Sequence, residues 1–289
     1  MATSFETDLQ GRIARLFIHP VKSCAALDVP EARLTATGLE WDRAWMVVDA
    51  QGDFLSQRAL PRMALIRPQL GATALTLTAP GVPALNVPLQ ATGPVAQVRV
   101  WNDTVPAWDM GDGAAQWFTT FLGLPCRLVR FDPAHRRLSS MDWTGGVEAA
   151  NQFSDGYPIL LASEASLVEL NQRLAAAGHG AVGIERFRAN VVLAGGESHD
   201  EDRVDLVRIG VDAGEVHLQP VKPCARCPIP DIDPATAESH PAVGDTLRSY
   251  RQDARVGGGI TFGMNAITRQ GEGAVLRVGQ PWGADLRFE

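Results

Sequence analysis

The residues best equipped for chemistry gather in segment 221–234, VKPCARCPIPDIDP. Cys224 and Cys227 form a CxxC pair, a spacing shared by half a zinc site, a dithiol redox pair, an inert turn and a single presented thiolate. Zinc takes about four ligands. His240 follows Cys227 after twelve residues, but no second histidine stands shortly beyond it. A redox dithiol usually opens a helix, and Pro228 and Pro230 would break one that began at Cys227. A solvent-protected turn with two inert cysteines is the bland alternative. For a single thiolate, Pro223 and Pro228 stiffen the backbone on both sides and Arg226 sets a positive charge beside the sulfur. Such a loop suits a soft, highly charged metal centre.

Further cationic groups are scattered upstream. His19-Pro20-Val21-Lys22-Ser23-Cys24 offers an ammonium and a hydroxyl at the end of an alternating strand pattern, the equipment for a phosphate or a pterin edge. Trp41-Asp42-Arg43-Ala44-Trp45 sets an arginine between aromatic residues, and Gln57-Arg58 and Phe187-Arg188-Ala189-Asn190 add two more near strands. Taken singly, each reads as a solvated lysine or a stacked surface arginine. Four cysteines, Cys24, Cys126, Cys224 and Cys227, are too few and too uneven for a disulfide framework.

The elements that must position these groups are mostly strands. RIARLFI (12–18) alternates, AWMVVDAQGDFLSQ (44–57) reads as a hairpin, and ALTLTAPGVPALNVPL (74–89) as another turning at Pro80-Gly81. VAQVRVW (95–101) and CRLVRF (126–131) add strands. Between them, 111–123 is helical, with Asp112 as cap, Trp117, Phe118, Phe121 and Leu122 on one face, and Gly123 as stop. Residues 133–155 read as loop. A second helix spans about 163–177, capped by Ser163, with Leu167, Leu170 and Leu174 buried and Gly178 ending it. Strands resume from 187 as ANVVLAG, LVRIGV, EVHLQPV, ITFGMNAI and AVLRVG, and 196–203 (GESHDEDR) reads as a solvated acidic turn.

Composition sets the frame. A chain of 289 residues, 45% hydrophobic and 20% charged, can bury a sizeable core and suggests about two domains. A net charge of −7 argues against a dedicated nucleic-acid binder, while leaving room for a small anionic ligand. The opening MATSFETDLQGR shows no secretory pattern, and no stretch approaches the roughly 20 apolar residues of a membrane span. The expected compartment is the cytosol, with no membrane partner.

Taken in order, HPVKSC, WDRAW, SDGYPILLASEASLVELN, FRAN, KPCARCPIPDIDPATAE and LRSYR resemble the MOSC proteins, named for the C-terminal domain of molybdenum cofactor sulfurase. The resemblance covers roughly residues 12–283 and is nearest to members with an N-terminal β-rich MOSC domain, such as the amidoxime-reducing components and bacterial YcbX-like proteins. It implies a mainly β fold with a few helices (α+β): an N-terminal β-barrel domain at 1–130 and a MOSC β-barrel domain at 131–289. It implies the molybdenum cofactor, with Cys227 as protein ligand to the metal and Cys224 in a less essential position. Lys22, Ser23, Arg43, Arg58, Arg188, Asn190, Ala225 and Arg226 would hold the pterin and its phosphate. Asp155 and Gly156 would border the cofactor and the substrate side, with Asp155 either a catalytic proton relay or a loop cap.

The implied activity is reduction of N-hydroxylated small molecules: hydroxylamines, amidoximes or N-hydroxylated base analogues. Each turnover takes two electrons and two protons, breaks the N–O bond and releases water. No cysteine follows Cys227, so the C-x4-C-x2-C ferredoxin extension of some bacterial relatives is not in this sequence, and electrons are expected from a separate ferredoxin- or flavin-reductase-type protein. The alternative is a carrier of the cofactor, or of sulfur as a Cys227 persulfide. Cofactor sulfurases use a related domain fused to a pyridoxal-phosphate domain, for which 289 residues leave no room.

Overall fold

A computed structural model describes residues 5–287. The alternating pattern near the N-terminus becomes the strand Leu9–Ile18, which lies between Val191–Ala194 and Pro281–Ala284. The sheet continues from Pro281–Ala284 through Val207–Val211 and Gly214–Ala225 to Gly259–Gln270. Ile159–Ser163 pairs in parallel with Val191–Ala194 and antiparallel with Gly259–Gln270, closing a seven-stranded barrel. Closure leaves no free edges. Inward residues of alternating position, among them Ile13, Leu16, Leu161, Leu193, Ile209 and Leu218, fill the interior. Gly11 is required where the strands run closest: a Cβ there would sit 1.8 Å from the Ala194 carbonyl oxygen.

The chain is therefore mainly β with a few helices, as expected. Its sheets do not divide at 130/131, because Leu9–Ile18 belongs to a barrel otherwise made from residues 159–284. The intervening chain builds a second unit. Trp45–Asp49, Cys126–Phe131, Asp103–Asp109 and Val95–Val100 form one sheet, and Ala74–Ala79 and Val82–Pro88 form the hairpin expected around Pro80-Gly81. The helix Asp112–Leu122 packs Trp117, Phe118 and Phe121 into this core and stops at Gly123 in left-handed geometry.

Several local expectations are corrected. Asp112 does not cap its helix: it is already the first helical residue, and its carboxylate pairs with Arg127. The 44–57 segment is no full hairpin, because Trp45–Asp49 takes Cys126–Phe131 as its ladder partner and meets the returning limb at one bridge, Val48 to Phe54. Residues 133–155 are not simply loop: Arg137–Leu138 pairs with Ala150–Asn151 around a one-turn helix, Met141–Thr144. In the second helix, Glu164–Ala176, Ser163 caps through its hydroxyl as expected, accepting from the Ser166 amide at 3.1 Å. Leu170 and Leu174 are buried there, but Leu167 only half so.

The acidic turn differs most. Asp200–Asp202 is a 3-10 turn that buries Asp200 and Glu201 instead of exposing them. Inward partners explain the burial. The Ser166 hydroxyl donates to Glu201 at 2.8 Å, and Asp200 accepts from the Glu197 amide at 2.7 Å while pairing with Arg203. Among the described residues no helix is long and apolar enough to cross a membrane.

Candidate functional site

Every site residue named from the sequence, from Lys22 to Cys227, lines one cleft between the barrel and the smaller unit. Chain exits from barrel strands supply most of them. Leu9–Ile18 leads straight into Lys22 and Ser23, Val191–Ala194 is preceded by Arg188 and Asn190, and Gly214–Ala225 ends on the cysteine loop. Ser23, Arg43 and Arg188 all hold left-handed backbone, with φ of 66°, 50° and 59°. Non-glycine residues take that conformation at a cost of roughly 1–3 kcal/mol each, and such strain concentrates where a ligand must be met.

The cations are individually built in. The Lys22 ammonium is buried, donates to the Phe153 carbonyl at 2.8 Å and forms an ion pair with Asp155. Burial lowers its pKa from 10.5, and the Asp155 charge only partly restores it. Arg43 donates to Asp42 at 2.5 Å, to the Asn190 side-chain oxygen at 3.1 Å and to the Arg188 carbonyl at 3.0 Å. Asp42 is buried and also accepts the His19 amide at 2.8 Å. Burial opposes its ionisation, but Arg43 and His19 outweigh that and hold its pKa down. Asn190 is fully committed to the scaffold, accepting from Arg43 and the Leu160 amide and donating to the Phe17 carbonyl. It positions Arg43 more than it offers a free amide.

Arg188 donates to the Cys24 carbonyl at 2.7 Å and has no carboxylate partner among the described residues. Burial, then the neighbouring Arg43 charge, lowers its pKa to about 10. Arg226 donates to Cys224 Sγ at 2.9 Å and to the Phe187 carbonyl at 2.9 Å, while its Nε is buried with no partner. Cys224 is thus occupied by its neighbour, whereas Cys227 is a half-buried free thiol. Ala225 ends its strand with its side chain exposed, so only its backbone is held in place.

The outer wall comes from residues 151–157. Arg137, itself buried, pins this loop through the Asn151 side chain and the carbonyls of Gln152 and Ser154 at 2.5, 2.8 and 2.7 Å. Asp155 stands exposed above Lys22 and accepts the Trp101 indole N–H at 3.1 Å. Its crowded setting would raise its pKa, but Lys22 and Trp101 hold it well below the usual carboxylate range. It is an ionised anchor for Lys22 rather than a loop cap. Gly156 lines the cleft, and a Cβ there would meet nothing. Sequence reasoning left out Phe54, Tyr157, Phe187 and Asn265 of the lining, and Trp101 behind it; no spacing or charge pattern marks them.

The zinc reading of the cysteines finds no support. His240 accepts the Ala242 amide and lies against His179, and no group of three metal-binding side chains occurs among the described residues. The donor set fits a molybdenum–pterin cofactor instead. Among the described residues, Lys22, Arg43, Arg58, Arg188 and Arg226 face only Asp155 and Asp42, which leaves three of these positive charges uncompensated there in an acidic protein. An anion with many acceptor oxygens would relieve that crowding and satisfy the orphaned Arg226 Nε. Cys227 offers one soft ligand, which suffices for a metal whose other ligands come from its own cofactor.

Comparison with known proteins agrees with this chemistry. Residues 10–125 match the family model of the MOSC N-terminal beta barrel domain, and residues 148–282 match that of the MOSC domain. Mitochondrial amidoxime-reducing component 1 of Mus musculus is 38% identical over 251 residues, covering 83% of this chain and 72% of that protein. Its Homo sapiens counterpart is 36% identical over 252 residues, covering 84% and 72%. Human molybdenum cofactor sulfurase is 30% identical over 271 residues, 87% of this chain but 29% of that longer protein. With both domain models matched and these relatives aligned over most of its length, the chain belongs to the MOSC family, in its form with an N-terminal MOSC beta barrel.

Proposed function

We propose that this protein is a molybdenum-cofactor-dependent reductase of N-hydroxylated compounds. The observation that carries the reading is the pairing of an uncompensated cationic cleft with a free, accessible thiol at Cys227. Lys22, Ser23, Arg43, Arg188 and Arg226 would hold the anionic pterin, and Cys227 would ligate the metal. When bound, the cofactor supplies a two-electron centre able to take oxygen from an N–OH group. The protein's own part is to hold the substrate at the rim and to move protons. Lys22 carries a proton that burial loosens, and Asp155, held ionised beside it, fixes that ammonium at the rim instead of trading protons with solvent. Amidoxime reduction in the relatives' names supports the substrate class. Electrons would come from a separate ferredoxin- or flavin-type protein. The compartment we propose is the cytosol, although these relatives are named as mitochondrial.

The similarity to a cofactor sulfurase favours a second reading, a carrier of the cofactor or of sulfur on Cys227. One set of measurements separates the two: molybdenum and pterin content of the purified protein, then benzamidoxime reduction driven by a chemical reductant. Cys227→Ala is expected to lose the metal, and Cys224→Ala to lose far less. Metal without turnover favours the carrier. Absence of metal from the wild type purified from a cofactor-producing host overturns the reductase and the cofactor carrier, and leaves the sulfur carrier to be decided by a persulfide assay on Cys227.

A further inference from the structure

Arg58 differs from the other cations of the cleft. Lys22, Arg43, Arg188 and Arg226 are fastened by hydrogen bonds to carboxylate, carbonyl or sulfur. The Arg58 guanidinium makes no hydrogen bond among the described residues. It is held by the indole of Trp101, its central carbon 4.6 Å from the ring centroid. A guanidinium stacked in this way keeps its edge donors and its second face free.

Trp101 is itself placed with care. Its Nε1 donates to Asp155 at 3.1 Å, and its ring meets Phe54 at 5.1 Å and an angle of 53°. It occupies the turn between Val95–Val100 and Asp103–Asp109 with a left-handed φ of 56°, where stability alone favours glycine or asparagine. Even so, it remains 40% exposed. A strained, exposed tryptophan joined to an unpaired arginine and to the cleft's one lining carboxylate has no account in packing.

We propose that Arg58 and Trp101 form a stacking shelf at the mouth of the cleft that selects flat aromatic or heteroaromatic N-hydroxylated substrates. The substrate ring lies on the free face of the guanidinium, with its N–OH group directed inward. An aryl amidoxime or an N-hydroxylated nucleobase presents the flat π face that this shelf would meet. Arg58 is then a substrate residue and not a cofactor residue. The inference rests on the reductase reading and sharpens its substrate class.

Benzamidoxime and acetamidoxime carry the same reacting group with and without a ring, so they isolate the shelf. In cofactor-loaded protein, Arg58→Lys and Trp101→Leu are each expected to raise the ratio of the benzamidoxime KM to the acetamidoxime KM by about tenfold. Trp101→Phe, which keeps a ring but loses the N–H, should recover most of that ratio. Molybdenum and pterin content should stay at wild-type level in Arg58→Lys. A separate readout is binding of benzamide, which cannot be reduced, followed by saturation-transfer NMR; it should weaken about tenfold in Trp101→Leu. Loss of cofactor from Arg58→Lys would assign that residue to the pterin and overturn the proposal. An unchanged KM ratio in a wild type that reduces both amidoximes would also overturn it. If the wild type reduces neither compound, the reductase reading fails, and benzamide still decides the shelf: weaker binding in Trp101→Leu upholds it and equal binding overturns it.

Discussion

At the scale of single residues, the cleft is built by pairing each charged group with a partner far away in sequence. Lys22 meets Asp155 across 133 positions, and Arg43 meets Asn190 across 147. Asp42 is the most consequential partner, because it neutralises Arg43 in a buried setting and fixes the backbone at His19. Asp42→Ala strands Arg43 without its counter-ion, and urea unfolding should show a loss of about 3–5 kcal/mol. The thiol and cations that line the cleft were readable because their chemistry is conspicuous: a thiol flanked by prolines, and a lysine and arginines at strand ends. Their partners were not, since Asp42, Arg137 and Trp101 look like ordinary surface residues until the fold brings them over the cleft. Asn190 and Asp155 were found, but their roles as a clamp on Arg43 and an anchor for Lys22 depend on contacts no local pattern encodes.

At the scale of elements, strands and helices with strong periodicity were legible, and two of the misread segments, 133–155 and 196–203, share one cause. Where a polar stretch has inward partners, its composition mimics a solvated loop. The Asp200–Asp202 turn is the clearest case, with Glu201 packed against Ser163 and Ser166. Burial, then the charge of Asp202, raises the Glu201 pKa to about 7. Below pH 4.5 this carboxyl is protonated in both folded and unfolded chains. Between pH 4.5 and 7 only the unfolded chain ionises, so this group's contribution to stability falls as pH rises, by about 3 kcal/mol once above 7. Glu201→Gln should remove that slope. The difference in unfolding free energy between wild type and variant, followed from pH 4 to pH 8, measures it; a difference independent of pH would show that the carboxyl is not held neutral. The same reasoning covers 133–155, whose polar residues serve the buried Arg137 and so steady the wall that carries Asp155.

At the scale of the whole molecule, β-rich character and the order of the family's segments were plain from the sequence, but the crossing of the first strand was not. Alternation shows that residues 12–18 form a strand without showing which sheet receives it. Because Leu9–Ile18 sits between Val191–Ala194 and Pro281–Ala284, a fragment of residues 131–289 would open the barrel and expose two apolar edges. That fragment is expected to aggregate or stay unfolded by size-exclusion chromatography and circular dichroism, and a fragment that folds as a monomer would contradict the barrel's dependence on the first strand.

The position of that strand also bears on how the protein is made. Residues Leu9 to Arg12 pair with residues Ala284 to Pro281, which leave the ribosome long after them. Lys22 and Ser23 follow directly from the waiting strand, so a nascent chain that still lacks Pro281–Ala284 cannot present a finished cleft. The cleft can therefore receive a ligand only after Pro281–Ala284 has been made and has met the first strand.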